Sequence, residues 1–128
     1  MSIRFIIDAY WRFPLYATSG VILAYSPETL QETVLSEPIT AFTNHSITDP
    51  EQLRLRLEEI RNLGYEISSN MRDIEVTGIA APIFQNDGNV LASVSLIGSS
   101  ERMELHVDRW LALLLQMTQE MPRLNGFL

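Results

Sequence analysis

The residues of this chain best placed to do chemistry are short and mostly uncharged. Gly78 and Ala80 lie two apart on one β-rich run, and Ser93 and Ser95 lie two apart on the next. A spacing of two puts side chains on the same face of a strand, so each pair shares a face. Short groups in mid-sheet leave concave volume. Hydroxyls and backbone groups around an apolar hollow are what a small-ligand site presents. The chemistry this points to is reversible recognition rather than bond making. The competing explanation is close packing of a helix over Gly78 and Ala80.

Composition closes off other chemistries. There is no cysteine, hence no thiol nucleophile, disulfide or thiolate metal site. There is no lysine to form a Schiff base; the positive charge is scattered arginine. His45 and His106 are the two histidines, and neither stands at metal-ligand spacing from carboxylates, so both read as surface residues and no metal or cofactor is expected. No Gly-x-Ser-x-Gly elbow is present. Asp73 and Glu75 read as solvated charge rather than acid–base catalysts. The chain is therefore not expected to be an enzyme. A formal net charge of -7 disfavours direct nucleic-acid binding, which needs clustered basic residues. No apolar run approaches the roughly 18 residues a membrane helix needs, so a cytoplasmic protein without a membrane partner is expected. At 128 residues, 46% of them hydrophobic, one domain spanning 1–128 with a packed core is expected.

The elements that must position the short residues begin with a hairpin. The runs from about Val76 to Phe84 and Val90 to Ile97 meet at Asn86-Asp87-Gly88-Asn89, where Asp-Gly suits a two-residue type I′ turn. That turn sets Ile83 opposite Ala92, Ala81 opposite Val94 and Ile79 opposite Leu96 on a core face. The other face carries Phe84 with Leu91, Pro82 with Ser93, Ala80 with Ser95 and Gly78 with Ile97. Ile3 to Asp8 reads as a strand. Tyr16 to Tyr25 reads as a buried helix ended by Pro27, and Ser26-Pro27-Glu28 opens a second helix reaching about Leu35. Thr48-Asp49-Pro50-Glu51-Gln52 starts a third, with Leu53, Leu57 and Ile60 on one stripe and Gly64 as left-handed cap. Ser68 to Glu75 reads as a loop. Ser99 or Ser100 begins a last helix whose stripe is Val107, Trp110, Leu111, Leu114, Met117 and Met121, ended by Pro122. The sum is an α+β arrangement of helices on an antiparallel sheet.

The segments FPLYATSGVILA, FTNHSITDPEQLRLRLEEIRNLGYEIS, GIAAPIF and SVSLIG stand in an order and spacing that resembles the effector-binding domain of the isocitrate lyase regulator (IclR) family of bacterial transcription factors. The resemblance covers nearly the whole chain and implies a GAF-like sheet. It also implies a chain that lacks the family's winged helix-turn-helix and the opening helix and strands of the effector domain, so that a sheet edge is exposed and self-association into a homo-oligomer is expected.

The implied function is sensing a small effector, a carboxylic-acid metabolite, without turning it over. Carried over position by position, the implied ligand contacts are Ser19, Gly20, Ser68, Val76, Gly78, Ser95 and Ile97. Ala80 and Ser93 join them from the hairpin register. A glycine before a helix also exposes backbone N–H groups to an anion, but for the lone glycine of Ser19-Gly20 tight packing is the reading the residues favour. The chain departs from the family pattern at Val21, where a basic residue is usual, and at Gly78 and Ile97, which makes that side more apolar.

Overall fold

The computed structural model describes residues 2–7, 17–39, 41, 43–71 and 73–120, with the side chains of 2–7 and 17–19 excepted. Four strands form one antiparallel sheet: β1 (Ser2–Ile7), β2 (Glu66–Ser69), β3 (Val76–Phe84) and β4 (Val90–Ser99), in the order β1-β4-β3-β2. Helices α1 (Ala17–Ala24), α2 (Glu28–Leu35) and α3 (Pro50–Leu63) precede β2, whereas α4 (Ser100–Leu105) and α5 (Val107–Glu120) follow β4. The fold is thus α+β, an antiparallel sheet flanked by helices.

Alternation along the strands divides the core in two. Ile79, Ala81, Ile83, Ala92, Val94 and Leu96 form one cluster with Met103 of α4 and Leu114 of α5. On the other side Ala80 joins Val21, Leu23 and Ala24 of α1, Val34 and Leu35 of α2, and Leu53, Leu57 and Ile60 of α3. Helix α3 buries the stripe its apolar spacing dictates, Leu53, Leu57 and Ile60, whereas α1 is buried on all sides from Gly20 to Ala24 and α5 buries Leu114 fully and most of its stripe only in part.

The register is the expected one through the hairpin's middle: Ile83 opposes Ala92, Ala81 opposes Val94, and Ile79 opposes Leu96. The turn itself is different. Gln85 N donates to Asn89 O at 2.8 Å and Gly88 N to Gln85 O at 3.0 Å, so Asn86, Asp87 and Gly88 make a three-residue loop. Gly88 alone takes a left-handed φ of 87°, and Asp87 accepts from Asn89 N through its side chain instead of adopting the left-handed conformation type I′ demands. The extra loop residue moves Phe84 from Leu91 to Val90. A bulge then leaves Leu91 unpaired and restores the frame from Ile83 onward. Pro82 is tolerated in β3 because β2 reaches only to Ala80, so β3 has β4 as its single neighbour beyond it.

Two further expectations are corrected. Ser68 lies in a strand, not a loop, because Glu66 to Ser69 continue the sheet against Thr77 to Ala80. The turn that follows is held by left-handed Asn70 and Glu75, with Asn70 Oδ1 accepting from Glu75 N at 2.7 Å. The terminal helix is two helices, broken at His106, whose φ of -138° and ψ of 37° leave the helical region. Ser99 caps α4 by accepting from Arg102 N, as Asp49 caps α3 by accepting from Gln52 N, and Gly64 ends α3 with φ 86°. Met121 and Pro122 lie outside the described residues. Pro27 sits at the N-cap of α2, one position before the first turn.

Candidate functional site

Register builds the site in two cross-strand rows. Glu66 of β2, Ala80 of β3 and Ser95 of β4 stand side by side, and β1 extends that row at Arg4. The next row is Ser68, Gly78 and Ile97, extended at Ser2. Directly opposed residues point to the same face, so all of these positions share one side of the sheet. Val76 lies one step beyond Gly78, half-buried opposite Ser99, and Ser93 lies one step beyond Ser95, opposite Pro82. Ser68, Ala80, Ser93 and Ser95 are buried. Gly20 sits on α1, which crosses over β2, β3 and β4 on this same side; Ser19 precedes it in the helix. The structure therefore brings the expected positions to one face and the helix above it.

Ala80 packs into the apolar cluster under α1, so close helix packing accounts for its small side chain. Polar groups on the same face are less well provided for. Among the described residues, Ser93 Oγ is buried without a hydrogen-bond partner, and so is Oε2 of Glu66. His45, in the loop after α2, and His106, between α4 and α5, are both exposed. No cluster of metal-binding side chains is present among the described residues.

Glu66 is the residue that sequence reasoning missed. Its side chain is almost wholly buried, and Oε1 accepts from Arg56 Nη2 at 3.2 Å and Nε at 3.3 Å. Oε2 lies against α1 so closely that a Cβ built on Gly20 would stand 2.2 Å from it. A glycine at 20 is thus a close-approach requirement, not a turn. Burial raises the Glu66 carboxyl to about 7; Arg56 opposes that shift, and Glu59 adds slightly to it. The available signal was the alternation Tyr65-Glu66-Ile67-Ser68 after the helix-ending Gly64, which places an acid on the face of Ser68.

Two side chains fix the covering elements. Gln31 of α2 donates from Nε2 towards the carbonyls of Leu23, Ala24 and Ser26 at 3.0–3.1 Å, satisfying the C-terminal end of α1 in place of a glycine cap. Arg56 of α3 also donates to the carbonyl of Ile67 at 2.7 Å, tying α3 to the outer edge of β2. Beside that tie Ile60, Leu63, Tyr65 and Ile67 help line a surface hollow of about 180 Å³.

The geometry defines an α+β domain in which helices cover an antiparallel sheet whose floor carries hydroxyls and a buried acid. The chain is a member of the IclR family: the family model described as bacterial transcriptional regulator IclR C-terminal matches residues 9–123. The HTH-type transcriptional repressor AllR of Escherichia coli K12 is 32% identical over 95 residues, which are 72% of this chain and 35% of AllR. Among solved structures, the IclR of Thermotoga maritima is 28% identical with a TM-score of 0.77, over 84% of this chain and 44% of that one. An IclR homologue complexed with 4-hydroxybenzoate, from Microbacterium hydrocarbonoxydans, is 27% identical with a TM-score of 0.73, over 80% of this chain and 41% of that one. This chain thus spans less than half the length of these relatives. No helix among the described residues is long and apolar enough to cross a membrane.

Proposed function

We propose that this chain is the small-molecule sensing and self-associating part of a cytoplasmic IclR-type regulator, and that it binds a carboxylic-acid metabolite without turning it over. The observation that carries the reading is the shared face: Ser68, Val76, Gly78, Ala80, Ser93, Ser95 and Ile97 from three strands lie beneath the helix bearing Ser19 and Gly20. The relative complexed with 4-hydroxybenzoate supports the ligand class. Hydroxyls at Ser68, Ser93 and Ser95 would hold the carboxylate, while Gly78 and Ile97 would receive an apolar body. Effector binding then acts by population shift, favouring whichever arrangement of associated domains it binds better.

Calorimetric titration with 4-hydroxybenzoate and other small carboxylic acids tests this. Saturable binding, lost in Ser95→Val while thermal unfolding stays cooperative, is the expected result. A folded protein that binds none of them rejects the reading.

The packing of Ala80 under α1 favours a second reading, an assembly-only module whose pocket is closed. Such a module would elute as an oligomer on size exclusion and ignore every acid.

A further inference from the structure

At the outer edge of β2, helix α3 and the strand leave a hollow of about 180 Å³. Its apolar lining is Ile60 and Leu63 of α3, Tyr65 beside β2 and Ile67 within it, and Leu63 stays 50% exposed although it is large and aliphatic. A dry cavity of about 150 Å³ accommodates benzene, so this volume takes one branched aliphatic or phenyl side chain. Two charged groups on the same wall have unused bonding capacity. Arg56 donates from Nε and Nη2 to Glu66 Oε1 and from Nη2 to the carbonyl of Ile67, which leaves the two N–H of Nη1 without a partner among the described residues. Glu59 is exposed and forms no ion pair among the described residues; it stands at i+3 from Arg56, and the two do not bridge each other. Glu66, the third charged group of the lining, is already committed, with Oε1 on Arg56 and Oε2 against α1 beside Gly20. Arg4 belongs to the opposite edge of the sheet, three interstrand spacings or about 14 Å from β2.

We propose that this hollow is a second binding site, separate from the candidate face, for a free amino acid with an apolar side chain the size of leucine or phenylalanine. The carboxylate takes the unused N–H groups of Arg56, the ammonium takes Glu59, and the side chain enters among Ile60, Leu63, Tyr65 and Ile67. The charges select a zwitterion. A simple carboxylate meets Glu59 unopposed and a simple amine meets Arg56, whereas a molecule with both signs one carbon apart matches groups one helical turn apart. Arg56 is set in advance, because its ties to Glu66 and Ile67 hold the guanidinium in place before a ligand arrives. The inference does not depend on the effector-binding reading above.

The test is an NMR titration of the intact chain that follows the methyl groups of Ile60, Leu63 and Ile67. The probes are L-leucine and L-phenylalanine, with isocaproate, isopentylamine and N-acetyl-leucinamide as analogues lacking one or both charges. At least one of the two amino acids should shift these methyls saturably, with a dissociation constant on the order of 1 mM, and each analogue should need at least about fivefold more. Glu59→Gln, a change on an exposed side chain, should weaken amino-acid binding about three- to fivefold while unfolding stays cooperative. Leu63→Ser should weaken it as well, and Ser95→Val, on the candidate face, should leave it unchanged. Absence of saturable shifts with both amino acids, equal binding of N-acetyl-leucinamide, full affinity in Glu59→Gln or loss of binding in Ser95→Val overturns the inference. The carboxylic-acid titrations of the candidate face stand or fall separately.

Discussion

The two faces of the sheet come from the same strands and answer to different demands. Under α4 and α5 the face is aliphatic; Ser69 Oγ, Thr77 Oγ1 and Ser100 Oγ form a chain with 2.8 Å links, and the indole N–H of Trp110 is buried with no partner among the described residues. Beneath α1 the face holds a buried acid with one oxygen, and a serine hydroxyl, that have no partner among the described residues. Natural cores leave few such atoms unpaired, because each costs the desolvation it is not repaid. The contrast is one of kind: the α4–α5 side leaves one neutral indole N–H unpaired beside an aliphatic cluster, whereas the α1 side leaves an oxygen of a buried acid and a hydroxyl.

The sharpest break between the faces should come from the aliphatic side. Leu96→Ala removes a fully buried side chain and is expected to cost about 2–5 kcal/mol in chemical denaturation, where a comparable truncation at a tolerant site would cost far less. A loss below 1 kcal/mol would mean the two faces are not so different.

On the other face the largest effect is pH-dependent. Glu66 holds its proton more tightly folded, near 7, than unfolded, near 4.5. Its contribution is thus full below pH 4.5 and is lost as pH rises through 7, about 3 kcal/mol in all as an order of magnitude. Subtracting the profile of Glu66→Gln from that of the parent isolates this slope from the other carboxylates. A flat difference between pH 4.5 and 8 would show that Glu66 ionises as freely as a surface acid.

Gly20→Ala comes next. The helix gains propensity, yet the new methyl takes the place of Oε2, so a net loss of about 1–2 kcal/mol in melting experiments is expected. Adding Glu66→Ser should recover most of it, a coupling that a double-mutant cycle reads directly. Additive losses would place the contact elsewhere. Smallest of all, Ser93→Ala deletes an unpaired buried hydroxyl and should change stability by less than about 1 kcal/mol, in the stabilising direction. A clear destabilisation would mean that hydroxyl is satisfied in solution.

How far the chain could be read from its letters follows from the range of the forces involved. Asp49, Pro50 and Gly64 mark α3 because caps are local, and the alternation from Ile79 to Leu96 gave the central register because a period of two leaves no other frame for a buried face. The turn type escaped because a three-residue loop with a bulge at Leu91 lands on the same frame as a two-residue loop, so the pattern of apolar residues cannot distinguish them. His106 breaks the terminal helix without a proline or glycine to announce it. In the site, the face of Gly78, Ala80, Ser93 and Ser95 was legible from alternation. Glu66 was not, because its meaning depends on Gly20, 46 positions away, approaching within contact distance in three dimensions.

Arg56 has one more consequence. By occupying the outward carbonyl of Ile67, it plugs the free rim of β2 with a charged side chain, so another extended peptide cannot zip onto that border without first prising the guanidinium away. Strand-by-strand growth, the usual route from a sheet to a fibre, is obstructed at this end of the molecule.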